Sequence, residues 1–152
     1  AVGLSYEGLA WITGAAVVLG GARPAAEILW IALLYSLGAH GIMTLNDFKS
    51  REGDLRMGVG SLPARLGPER AARVAAIAMV VPQLVVIALL AVWGAPTHAL
   101  AVGALVVVQI AMLRRLLVQP DEARALWFSA LGVPVYVSGM MVAAFALRGG
   151  IA

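Results

Sequence analysis

Asp47, Ser50, Glu52 and Asp54 sit together in a chain that holds only eight acidic residues among 152. Asp47 and Asp54 are seven residues apart, two helical turns, so a helical backbone sets both on one face with Ser50 between them. Glu52 turns toward the same place if Gly53 interrupts the helix. Clustered carboxylates suit a hard divalent cation such as Mg²⁺, with Mn²⁺ the alternative. Such a cation takes oxygen ligands, keeps several waters and is completed by substrate phosphates. Lys49, Arg51 and Arg56 lie in the same run and have the charge to neutralise a phosphate leaving group. This mixture reads as a metal–diphosphate site. It reads equally well as a solvated basic loop, although such a loop has no need of three acids.

The elements that must position this cluster are apolar. The chain is 62% hydrophobic and 12% charged, about half the charge of an ordinary soluble domain. A soluble globular enzyme and a disordered chain are both excluded. The absence of cysteine removes disulfides, thiolate metal sites and a cysteine nucleophile. A net charge of +3, without a basic stripe interleaved with aromatics, argues against nucleic acid as a partner.

Five continuous apolar stretches are expected to be membrane helices: Gly8 to Leu19, Ala25 to Asn46, Pro68 to Trp93, Pro96 to Val118 and Ala123 to Leu147. They are too long and too evenly apolar for barrel strands. The expected fold is therefore all-α, a polytopic bundle of about five transmembrane helices in one membrane domain, residues 1–152, embedded in a lipid bilayer. Residues 47–67 form its polar loop. Nine of eleven basic residues fall in the 47–73 and 114–124 connections, and only Arg23 and Arg148 fall at the other end. The motif loop is expected on the cytoplasmic side, with the C-terminus outside.

The run Thr44-Leu45-Asn46-Asp47-Phe48-Lys49-Ser50, then Glu52-Gly53-Asp54, Met57-Gly58-Val59, Ser61-Leu62-Pro63 and Leu66-Gly67 resembles the second aspartate motif of the UbiA-type intramembrane prenyltransferases. Its form is similar to the chlorophyll and bacteriochlorophyll synthase branch. Gly41-Ile42-Met43-Thr44 and Met57-Gly58-Val59 are closer to the bacteriochlorophyll side. The resemblance implies that this chain corresponds to helices five to nine of a nine-helix fold. It also implies transfer of a geranylgeranyl or phytyl group from its diphosphate to the propionate carboxylate of bacteriochlorophyllide in a bacterial photosynthetic or cytoplasmic membrane. Chlorophyllide or an aromatic ring is the alternative acceptor. On this basis Asp47, Asp54 and Glu52 are the expected metal ligands. Lys49 and Arg56 face the diphosphate, and Asn46, Arg51 and His40 complete substrate binding.

Two positions depart from the branch: Leu55 stands where it carries Arg, with Arg56 one residue later, and Arg51 stands where an apolar residue is usual. The family's first aspartate motif has no counterpart here, since Asp121-Glu122 lacks the Asn-Asp lead and the spacing. The chain therefore reads as a C-terminal fragment, inactive alone, whose missing N-terminal half carries the first motif. A half-length subunit with a separate partner chain fits the same facts. A non-catalytic scaffold or transporter piece remains the reading from another class.

Individual residues invite plainer readings. His40, seven before Asp47, either meets the tetrapyrrole or bonds a neighbouring helix. Tyr35 and Tyr136 either face a passing cation or pack with bonded hydroxyls. Gln83 and Gln109 are expected to bond across helices, and the four tryptophans to mark the membrane boundaries.

Overall fold

The computed structural model describes residues 2–148, with the side chains of Val2, Gly3, Leu4 and Tyr6 excepted. The expected outward C-terminus, residues 149–152, lies outside the described residues. All regular structure described is helical. In chain order the helices are α1 (Val2–Val18), α2 (Ala26–Asn46), α3 (Arg51–Met57), α4 (Leu62–Leu66), α5 (Pro68–Val92), α6 (Pro96–Val118) and α7 (Glu122–Arg148), with a 3₁₀ turn Asp47–Ser50 joining α2 to α3.

Four helices are long and apolar enough to cross a membrane, and a fifth, within α1, is apolar but shorter. The 21 residues of α2 rise about 31 Å, the thickness of a bilayer's hydrocarbon core. Helix starts follow local chemistry. Pro68 and Pro96 open α5 and α6, where a missing N–H costs nothing and φ is already helical. Pro82 and Pro134 lie inside α5 and α7; Pro82 is buried, where neighbouring helices hold α5 on either side of it.

The central element is α2, which packs against α1, α5 and α7, while α6 closes the bundle against α5 and α7. Small residues permit this. A Cβ on Gly41 would lie 2.5 Å from the Ala75 carbonyl oxygen, so α2 and α5 touch backbone to side. Facing Gly41 across the contact, Ala71, Ala72, Ala75 and Ala76 line the buried stripe of α5, the close approach that helices in lipid rely on. Gly38 does the same for α7, since its missing Cβ is the space that the Tyr136 hydroxyl fills.

The apolar interior carries a polar layer at mid-depth. Gln83 Nε2 donates to Gln109 Oε1 at 2.6 Å, tying α5 to α6 as expected. Tyr136 Oη donates to the Tyr35 carbonyl at 2.7 Å, tying α7 to α2. Tyr35 lies edge-on to Tyr136 with centroids 5.3 Å apart and stacks on Trp11 at 6.4 Å. Trp11, partly buried, thus packs against the core through this stack. Trp127 lies under the Arg115 guanidinium at 4.8 Å, joining α6 to α7 near their shared turn.

Candidate diphosphate-binding site at the end of α2

The bundle brings the end of α2, the 3₁₀ turn, α3, α4 and the α6–α7 turn to one end. Phe48, 5% exposed, is the anchor. Its ring belongs to the continuous core, so the neighbouring Asp47 and Lys49 are held at the surface of the bundle. The turn tightens at Ser50, and α3 then runs about two turns to Gly58. Gly58 has φ 71°, a left-handed conformation suited to glycine, and Val59 N–H closes on the Asp54 carbonyl at 2.8 Å. Arg51 Nε donates to the Pro63 carbonyl at 3.2 Å, which clips α4 back onto the motif. This is where the structure places Arg51: it braces the loop.

Ser50 and Asp54 come together, and Asp47 is joined to them through its backbone carbonyl; the 3₁₀ turn Asp47–Ser50 interrupts the α-helical spacing that would have set both carboxylates on one face. Ser50 Oγ lies 3.2 Å from Asp54 Oδ2 and 3.2 Å from the Asp47 carbonyl oxygen, one hydroxyl proton between two acceptors. Partial burial raises the Asp47 carboxyl above the usual carboxylate range; the Asp54 charge adds to the rise and Lys49 opposes it. Two carboxylates that feel each other, with an ammonium beside them, have the electrostatics of a cation site.

Glu52 and Arg56 are not brought to that site. They pair with each other at 3.8 Å, i to i+4, on the outer side of α3, with side chains 85% and 81% exposed. Asn46, at the end of α2, accepts a hydrogen bond from Ser129 Oγ of α7 at 3.4 Å. Ser129 was not legible in advance, because it is 83 residues away and carries no motif. His40 is half-buried one helix face above Asp47. Its backbone carbonyl accepts from Thr44 Oγ1 at 2.8 Å, and no hydrogen bond to its ring is found among the described residues.

The donor set fits a hard cation completed from outside. Among the described residues no three of His, Cys, Asp and Glu stand close enough to cage a metal. Two carboxylates and a hydroxyl supply only part of an octahedral shell, as is usual for Mg²⁺ sites that share substrate phosphates. At the opposite end of the bundle, α1, α2 and α7 enclose an apolar groove of about 670 Å³, walled by Trp11, Gly14, Ile28, Met141 and Phe145 with Arg148 at its edge.

A bundle of lipid-length helices with a polar, charged segment at one end defines a membrane-embedded protein. Sequence comparison gives the family. The chain belongs to the UbiA prenyltransferase family, whose profile matches residues 2–132. It is 55% identical over 148 residues to the bacteriochlorophyll synthase 33 kDa chain of Cereibacter sphaeroides, a match covering 97% of this chain and 48% of that protein. It is 46% identical over 146 residues to the bacteriochlorophyll synthase 34 kDa chain of Chloroflexus aurantiacus (96% and 46%). To chlorophyll synthase, chloroplastic, of Arabidopsis thaliana it is 36% identical over 146 residues (96% and 37%). The chain spans about half the length of the curated relatives it matches most strongly. No solved structure matches it.

Proposed function

We propose that this chain supplies one of two metal–diphosphate half-sites in a prenyltransferase that esterifies the propionate carboxylate of a bacteriochlorophyllide with a geranylgeranyl or phytyl group. The observation that carries the reading is that Asp54, bonded to Ser50, lies near enough for its charge to act on Asp47 at the end of α2. The identity to bacteriochlorophyll synthases supports the acceptor. Chlorophyllide is the second choice, supported by lower identity.

In this reading Asp47 and Asp54 hold Mg²⁺, or Mn²⁺ in its place, and the metal supplies charge stabilisation for the departing diphosphate. Lys49, whose charge already acts on Asp47, meets the same diphosphate. Arg56 and Glu52 join only if their mutual pair opens and α3 turns. Asn46, held by Ser129, and His40, on the same face of α2, border the acceptor. The packed apolar helices keep water from the allylic cation and offer lipid-like walls to the prenyl chain. The second half-site belongs to the remaining length that the relatives possess, so the 152-residue chain alone forms no ester. The motif end, with nine of the eleven basic residues, faces the cytoplasm of a bacterial inner membrane.

The test is ester formation by the full-length protein in membranes with geranylgeranyl diphosphate and bacteriochlorophyllide. Asp47→Ala lowers turnover at least 100-fold while membrane insertion is unchanged. Undiminished turnover makes Asp47 a mere loop residue and overturns the reading.

A further inference from the structure

Tyr35 Oη and Gln83 Oε1, at the centre of the bundle, have no hydrogen-bond partner among the described residues. Their side chains are 0% and 1% exposed. Nearby, Gln109, Ser36 and the Tyr136 hydroxyl are paired, whereas Glu7 Oε2 of α1, whose charge reaches Tyr136, is also without a hydrogen-bond partner among the described residues. The orientation of the Gln83 amide is fixed by its surroundings. Its Nε2 faces the Met79 carbonyl at 2.9 Å and Gln109 Oε1 at 2.6 Å, and a carbonyl only accepts, so Oε1 must point the other way.

Both orphan atoms converge on one point. A Cβ built on Gly139 of α7 would lie 3.4 Å from Gln83 Oε1 and 3.4 Å from Tyr35 Oη. One atom is a hydroxyl able to donate and the other an amide oxygen able only to accept. Gly139 is itself buried, and its side is open to both because it has no side chain.

We propose that a single water molecule is bound between Tyr35, Gln83 and Gly139, accepting from the tyrosine hydroxyl and donating to the amide oxygen. Two polar partners inside an otherwise apolar wall are enough to retain a water. An unpaired buried hydroxyl and amide oxygen would otherwise each stand dry in a medium that cannot solvate them. The site joins α2, α5 and α7, three helices that no single side-chain hydrogen bond links. It lies three turns along α2 from Asp47, so it helps to fix the helix that carries the motif. The inference is independent of the reaction assigned above.

Substitution at Gly139 separates a wet site from a dry one. A methyl there meets only ordinary contacts, and alanine is the better helix former. A dry site therefore predicts that Gly139→Ala raises the melting temperature of the full-length protein by roughly 2–4 °C. A bound water predicts the reverse, a fall of roughly 2–6 °C, because the methyl displaces the water and leaves both polar atoms unpaired. Gly139→Ser, whose hydroxyl stands in for the water, recovers part of that loss. In a Tyr35→Phe background the Gly139→Ala loss shrinks. Failure of Gly139→Ala to fold while Gly139→Ser folds also supports the proposal. A rise with Gly139→Ala, or equal losses or folding failure with Ala and Ser, overturns it, the last two because they indicate crowding alone.

Discussion

Gly41→Ala is the sharpest probe of how the fold positions the site. The added Cβ would lie 2.5 Å from the Ala75 carbonyl oxygen and 2.6 Å from Met79 Cγ. Ordinary contact needs about 3.4 Å, so α2 must retreat from α5 by close to 1 Å. The methionine can swing aside, but the helix backbone cannot. Overpacking of this kind costs about 1–3 kcal/mol, against up to ~1 kcal/mol gained from the helix preference of alanine. The net loss of about 1–2 kcal/mol corresponds to a fall in melting temperature of roughly 2–8 °C for a domain of this size. Gly14→Ala on α1 is the control, since nothing lies within 4 Å of its Cβ, and it should leave stability unchanged or raised. Because Gly41 is six residues before Asp47, the same retreat moves the carboxylate, and a displacement near 1 Å can cost about 100-fold in rate. Thermal unfolding of the detergent-solubilised full-length protein, with turnover measured alongside, reads both effects. A Gly41→Ala variant as stable and as active as Gly14→Ala would refute the reasoning.

The cations of the loop should separate in rank. Lys49→Ala raises KM for the prenyl diphosphate about tenfold, whereas Arg56→Ala, whose side chain is turned to the outer face of α3 beside Glu52, raises it less than threefold; steady-state kinetics decides the order. Glu52→Gln leaves the melting temperature unchanged, because so exposed a pair contributes almost nothing. The divalent requirement should depend on pH in one direction. Asp47 holds its proton to a higher pH than an ordinary carboxyl, and a protonated carboxyl is a poor ligand. The Mg²⁺ concentration for half-maximal activity therefore rises as pH falls, beginning above the usual carboxylate range, and Asp47→Asn removes that rise.

Most of the architecture was legible because its signals are local and large. Uninterrupted apolar runs bounded by Gly, Pro and charge place four helices within about two residues of where they lie, and the first run was recognised although its beginning extends further, to Val2. The seven-residue spacing of Asp47 and Asp54 assumes a continuous helix, which the 3₁₀ turn Asp47–Ser50 interrupts; the side chains the fold brings together there are Ser50 and Asp54. Glu52 was harder. Its placement on the carboxylate face depended on Gly53 breaking the helix, and Gly53 instead sits inside α3, with the break postponed to Gly58. The helix therefore turns Glu52 outward to Arg56. Arg51 finding the Pro63 carbonyl, and Ser129 finding Asn46, are contacts made only once the chain has folded, and no spacing announces them. That Trp11 stacks on Tyr35, against the core, is likewise not announced by its spacing. The unpaired hydroxyl of Tyr35 was equally invisible, since the sequence shows that a tyrosine is intramembrane but not which way its hydroxyl points.

The central claim is that Asp47 and Asp54 jointly hold a divalent cation against a prenyl diphosphate. Paramagnetic resonance of Mn²⁺ titrated into the full-length protein with geranylgeranyl diphosphate tests it most directly. The account predicts a protein-bound Mn²⁺ signal that requires the diphosphate and is weakened at least tenfold by Asp47→Ala and by Asp54→Ala, in protein that remains folded in the membrane. Bound Mn²⁺ of equal affinity in both variants would contradict it.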